Sequence, residues 1–267
     1  MDINVNGAAV FAHTGGKPFD PAQPVLVLIH GAGTDHTFWG LQTRFFSHHG
    51  YTVLAVDLPG HGRSEGPALD TLDALAEWVW QMLDAAGAKQ ATLAGHSMGS
   101  LIALAAAAKQ PENTRALVMV GTAERIAVHE DLLAAGKSSD PRAFDMITDW
   151  GFGKPSHLGG HQAPGLWMLG CGRELLRAGT PGVLGTDLAA CDAYGGAVEA
   201  AKKITCPVLM LLGAGDRMTP PRTAKALTEA LAQVETEILP ATGHMIMVER
   251  PNETIDAIDG FLRRVAA

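Results

Sequence analysis

The tightest constraint on this 267-residue chain is the pentapeptide Gly95-His96-Ser97-Met98-Gly99. It follows a short apolar run, Ala91–Ala94, and opens a small-residue run, Leu101–Ala108, that reads as a buried helix. A strand that turns into a helix within one residue has to place that residue, Ser97, on a strained backbone. Glycines on either side then let the strand and helix backbones approach each other. The serine hydroxyl would stand at a helix N-terminus, where the dipole favours developing negative charge. With 31 glycines in the chain such a pentapeptide can arise by chance, and its meaning depends on what surrounds it.

Those surroundings are alternating strands and helices. Asn6-Gly7 between alternating apolar residues predicts an antiparallel hairpin over residues 3–13. The runs Val25–Ile29 and Thr52–Val56 read as strands buried on both faces. Helical spacing is found near 36–48 and over 71–86, and a further strand is expected from Arg115 to Gly121. From about 124 to 203 no buried strand is legible, and Gly/Pro clusters separate short helical runs. The pattern resumes with Pro207–Leu212, a helix near 220–233, a strand Thr236–Leu239 and a final amphipathic helix. The expected fold is α/β: a mostly parallel, doubly wound sheet with an N-terminal antiparallel hairpin. The expected organisation is a core of residues 1–123 and 204–267 with a helical cap, 124–203, inserted into it.

A serine hydroxyl needs a base to take its proton and an acid to orient that base. The carboxyl ends of parallel strands are where such groups gather. Asp216 follows the 208–212 run and His244 follows the 236–239 strand, so the candidates run serine, aspartate, histidine along the chain. Glu124, after the preceding strand, is the alternative acid. An oxyanion needs two backbone donors: Met98, next to the serine, and one from His30-Gly31-Ala32-Gly33, with Ala32 preferred over Gly33.

With these residues in view the chain resembles the α/β-hydrolase superfamily over nearly its whole length. The resemblance is carried by His30-Gly31, Asp57-Leu58-Pro59-Gly60-His61-Gly62-Arg63-Ser64, Gly95–Gly99, Asp216 and Gly243-His244. Thr186–Asp192 is similar to the corresponding segment of esterases, enol-lactonases and cofactor-free haloperoxidase-like members. The resemblance implies a serine hydrolase acting on a small carboxylic ester or lactone through Ser97, His244 and Asp216, without a cofactor. Serine at 97 disfavours dehalogenases and epoxide hydrolases. Met245 and Thr34-Asp35 depart from the pattern of carbon–carbon bond hydrolases. That activity, a perhydrolase and a non-catalytic ligand receptor are the alternatives. Gly33, Trp39, Trp150, Phe152, Trp167 and Met245 are the expected pocket residues.

A formal charge of −8 argues against nucleic acid or an anionic membrane as partner. Cys171, Cys191 and Cys206 are odd in number and form no C-x-x-C, so neither a disulfide framework nor a zinc site is expected. His157 and His161 share a helical spacing but have no third ligand, and metal binding is not expected. The lack of a signal-like N-terminus or membrane-length apolar run predicts a cytoplasmic protein, and a homodimer is allowed.

Overall fold

The computed structural model describes residues 1–160 and 165–266. Eight strands form one sheet: β1 (Asp2–Val5), β2 (Ala8–His13), β3 (Val25–Ile29), β4 (Thr52–Val56), β5 (Ala91–His96), β6 (Thr114–Val120), β7 (Val208–Gly213) and β8 (Val234–Leu239), in the spatial order β1-β2-β4-β3-β5-β6-β7-β8. β1 and β2 form the expected hairpin, with Val5 opposite Ala8 and positive φ at both Asn6 and Gly7. β2 joins β4 antiparallel, and every later pairing is parallel.

The two-sided burial read from the strands is visible residue by residue. Val25, Val27 and Ile29 of β3 face a layer that includes α2 (Leu72–Ala85) and α3 (Met98–Lys109). Leu26 and Leu28 face the opposite layer with Phe46 of α1 (Gly40–Ser47) and Ile258, Phe261 and Leu262 of α12 (Pro251–Ala266). β8 is the sheet's edge, and its exposed Glu235 and Glu237 blunt it against further pairing.

Between β6 and β7 the described residues hold only helices: α4 (Glu130–Lys137), α5 (Arg142–Gly151), α6 (Lys154–His157), α7 (Met168–Ala178), α8 (Val183–Ala193) and α9 (Ala197–Ala201). Buried apolar residues described in this insertion join the two layers of the sheet. Leu132, Ile147, Leu176 and Leu188 join the sheet's second layer, whereas Ala197 and Ala201 of α9 pack with α3 on the first. Two expected helices are shorter than the periodicity suggested. The first begins as a 3-10 turn, His36–Trp39, capped by the Asp35 side chain, before α1. The helix near 220–233 is a 3-10 turn, Pro221–Ala224, running into α10 (Lys225–Ala230), and paired prolines Pro220-Pro221 explain its late start. The last helices before the C-terminus are α11 (Ile246–Glu249) and α12.

The chain steps from β3 outward to β4 and then back across β3 to β5, so the winding direction reverses between β3 and β5. Their carboxyl ends lie side by side, with Ile29 opposite Gly95. Loops leaving such a reversal diverge and open a crevice. Here they are the His30–Thr34 loop and the turn at Ser97.

Candidate active site

Ser97 caps α3 with φ 53° and ψ −119°, left-handed backbone on a residue with a side chain. The turn is possible because of its flanking glycines. A Cβ on Gly95 would fall on the backbone of Gly99, and one on Gly99 would fall on the carbonyls of Ile29 and His30. The strain is held by hydrogen bonds: the Ser97 amide donates to Val120, and its carbonyl accepts from the Ser100 hydroxyl at 2.6 Å. Met98 begins the helix, so its amide points out of the first turn.

Asp216 and His244 meet in the loops after β7 and β8. Nδ1 of His244 donates to Oδ2 of Asp216 at 2.8 Å, and both side chains are buried. The Thr219 hydroxyl donates to the same oxygen at 2.8 Å, while the amides of Met218 and Thr219 donate to Oδ1. Burial would raise the Asp216 pKa, but the His244 charge, its hydrogen bond and the Thr219 donors bring it down to about 2. The opposite ring nitrogen, Nε2 of His244, is buried and has no partner among the described residues. The alternative acid Glu124 is exposed and its amide donates to Thr223.

His96 ties the serine turn to the histidine loop: its Nε2 donates to the His244 carbonyl at 2.9 Å. The His96 pKa is pushed down to about 3, first by burial and then by the His244 charge, so the ring is a neutral strut. His30, also held near 3 by burial and by His61, donates from Nδ1 to the Gly31 carbonyl and accepts from the Leu58 amide. The Thr34 amide and hydroxyl donate to the same Gly31 carbonyl. Gly33 donates to Asp187 at 2.7 Å, which commits its amide elsewhere. The Ala32 amide has no partner among the described residues.

Two buried acids that sequence reasoning did not single out as site residues reach across the insertion. Asp187 of α8 accepts from Gly33 and from His61. Glu249 accepts from the amides of Gly153 and Gly243 and from the Ser156 hydroxyl, and the Gly151 carbonyl accepts from the His244 amide at 2.6 Å. The partners lie 154 and 96 residues apart along the chain, so no local pattern links them. Their one local signal is an acid at an inward helical position.

A cavity of about 210 Å³ lies between the 33–35 and 61–62 loops and the insertion; it borders Gly33, next to Ala32, while Ser97, Met98, Asp216 and His244 are not among its walls. Thr34, His61, Ser139, Phe144 and Leu184 are among its walls. Of the expected pocket residues only Gly33 borders it. Trp39 is fully buried, its indole donating to the Ile29 carbonyl, so it packs beneath the 30–34 loop. Trp150 is half-buried with its edge toward His129, and Trp167 is 60% exposed at the start of α7. Phe152 borders a separate open groove with Pro155, Leu158 and Arg217, and Met245 is buried against Gly151. The Nε2 of His157 meets the Phe152 carbonyl, and His161 lies outside the described residues. Asp35, His36 and Asp57 do gather, but Asp57 Oδ1 takes the His36 amide and ring while Asp35 Oδ1 takes Thr37.

Comparison with known proteins agrees with the fold. Residues 24–251 match the family model described as the alpha/beta hydrolase fold. A pimeloyl-[acyl-carrier protein] methyl ester esterase from Proteus mirabilis is 29% identical over 240 residues, 85% of this chain and 88% of that protein. An (E)-2-((N-methylformamido)methylene)succinate hydrolase from Acinetobacter baylyi is 26% identical over 247 residues, 89% of each. In solved structures, the enol-lactonase from Burkholderia xenovorans superposes with a TM-score of 0.87 at 24% identity, covering 98% of this chain and all of that one. The chain therefore belongs to the α/β hydrolase fold family, among its esterases and related hydrolases.

Proposed function

We propose that the protein hydrolyses a small carboxylic ester or lactone through an acyl-enzyme on Ser97. The observation that carries this is the buried Asp216–His244 pair, 2.8 Å apart, with Nε2 unpartnered and the histidine loop bonded to the residue next to the serine. Asp216 fixes the tautomer with hydrogen on Nδ1, which leaves the Nε2 lone pair for the serine proton. Ser97 Oγ attacks the carbonyl carbon as that proton passes to Nε2. The oxyanion is received by the Met98 and Ala32 amides. His244 then returns the proton to the departing alkoxide, and water repeats the sequence to release the acid. In a lactone the alkoxide stays tethered to the acyl group, and the chemistry is the same. The insertion acts as the cap, walling the cavity beside Gly33.

A panel of p-nitrophenyl esters and γ-lactones tests the reading. Ser97→Ala is expected to lower kcat by about 10⁴–10⁶, with the fold intact by circular dichroism. A fluorophosphonate should add one probe at Ser97. A labelled Ser100 would overturn the assignment, because that hydroxyl is fully buried, donating to the Ser97 carbonyl and meeting the Thr122 hydroxyl, and is not expected to react. No turnover of any ester with ligand binding retained would instead favour a receptor.

A further inference from the structure

The Ala32 amide belongs to the peptide unit that begins with the Gly31 carbonyl. That carbonyl is held from within the core by the His30 ring at 2.8 Å and the Thr34 hydroxyl at 2.9 Å. The next peptide unit, Ala32 to Gly33, is held from the other direction. Its N–H donates to Oδ2 of Asp187, which the insertion supplies from α8. Both peptide planes around Ala32 are thus pinned, one by the core and one by the insertion.

Asp187 is itself braced. The same oxygen accepts from His61 Nε2 at 2.8 Å, and His61 Nδ1 faces the Pro59 carbonyl at 3.0 Å. Both ring nitrogens face acceptors, an arrangement that favours the doubly protonated imidazole. Burial opposes that charge, but the hydrogen bond and charge of Asp187 outweigh it and raise the His61 pKa. A carboxylate shared by an amide and an imidazolium makes charge-assisted bonds, which are shorter and more directional than neutral ones. Asp187 is fully buried, and its Oδ1 has no partner among the described residues, so the whole anchoring function falls on Oδ2.

We propose that Asp187 is a positioning residue: its Oδ2, clamped by His61, holds the Ala32–Gly33 peptide so that the Ala32 amide stays aimed at the oxyanion. This rests on the reading of Ala32 and Met98 as the oxyanion donors. Oxyanion stabilisation depends on donors that need no reorganisation as charge develops. A loop released at Gly33 would still bind substrate but would meet the transition state poorly.

The test measures kcat and KM per fluorophosphonate-titrated site, together with affinity for a trifluoromethyl ketone, which forms an oxyanion in the site. Asp187→Ala is expected to lower kcat about 10–100-fold with KM within about threefold, and ketone affinity should fall in parallel with kcat/KM. Asp187→Asn keeps an acceptor oxygen for Gly33 but loses the charge, and should recover to about 3–10-fold below native. Native kcat per titrated site in Asp187→Ala would overturn the proposal, as would a kcat loss without weaker ketone binding. If Asp187→Ala does not fold, native kcat and ketone affinity in Asp187→Asn would overturn it equally. Ser97→Ala in the same panel separates the two ideas. An active Ser97→Ala enzyme removes the serine mechanism, whereas an inactive one alongside a native-like Asp187→Ala removes only the role of Asp187.

Discussion

A carboxyl as buried as Asp216 would ordinarily keep its proton; His244 and Thr219 are what make it an anion. That sets the cost of changing it. In Asp216→Asn the amide nitrogen can take the place of Oδ2 opposite His244, which moves the ring hydrogen to Nε2, the wrong tautomer for accepting the serine proton. The expected loss in kcat is about 10³–10⁴, smaller than for Ser97→Ala because the nucleophile itself remains. Glu124→Gln should stay within about twofold of native, since Glu124 is exposed. Turnover of p-nitrophenyl acetate by the two variants decides between the acids, and an inactive Glu124→Gln beside an active Asp216→Asn would reverse the assignment. His96 and His30 belong to this scale too. Both are near the centre, yet burial keeps them neutral and each has a hydrogen bond to a backbone carbonyl, so they position loops and are not competing bases.

At the scale of elements, the proposed cap is expected to select among substrates. The cavity is walled by α5, α7 and α8 and by the 33–35 loop, not by the tryptophans that the sequence made conspicuous. Truncating Phe144 or Leu184 should therefore re-rank p-nitrophenyl esters by chain length, about 10–200-fold for each step in fit, while acetyl ester turnover stays within about tenfold. Trp167→Ala should leave the ranking unchanged, because that side chain is largely exposed. The reverse pattern in kcat/KM profiles would move the pocket to the Phe152 groove. The contrast shows where sequence is readable. β3 and β4 have the bounds expected of them, because a strand buried on both faces has to be an uninterrupted apolar run. The placement of Ser97, Asp216 and His244 just after β5, β7 and β8 was legible because a parallel sheet gathers the residues that follow its strand ends at one edge. The Gly33–Asp187 and Gly153–Glu249 bonds were not, since they join segments that only the packed insertion brings together. Bulk alone could not say whether Trp39 lines a pocket or fills a core.

For the whole molecule, buried histidines of opposite character shape the pH range over which the fold is stable. His30 and His96 are neutral when folded, with pKa values near 3, but take up a proton near pH 6.5 in the unfolded chain. Between those values the unfolded state binds more protons, so acidification from 6.5 toward 3 removes stability, by up to about 1.4 kcal/mol per pH unit for each ring. Below about 3.8 protonation of the unfolded chain's Asp216 adds to the loss, which continues down to its folded value near 2. His61 acts in the other direction. Burial disfavours its charge, but the hydrogen bond and charge of Asp187 raise its pKa above 6.5. Its pairing contributes in full below 6.5 and is lost as pH rises through the raised value. Stability should therefore peak near neutrality. The overall charge of −8 also adds repulsion as pH rises, but salt screens that general term far more than a buried pair. Urea unfolding at high salt across pH 5 to 9 should show both arms, with His96→Asn shallower on the acid side and His61→Asn shallower on the alkaline side. An alkaline arm as steep in His61→Asn as in the native protein would show that the core and insertion are not held together by this pair.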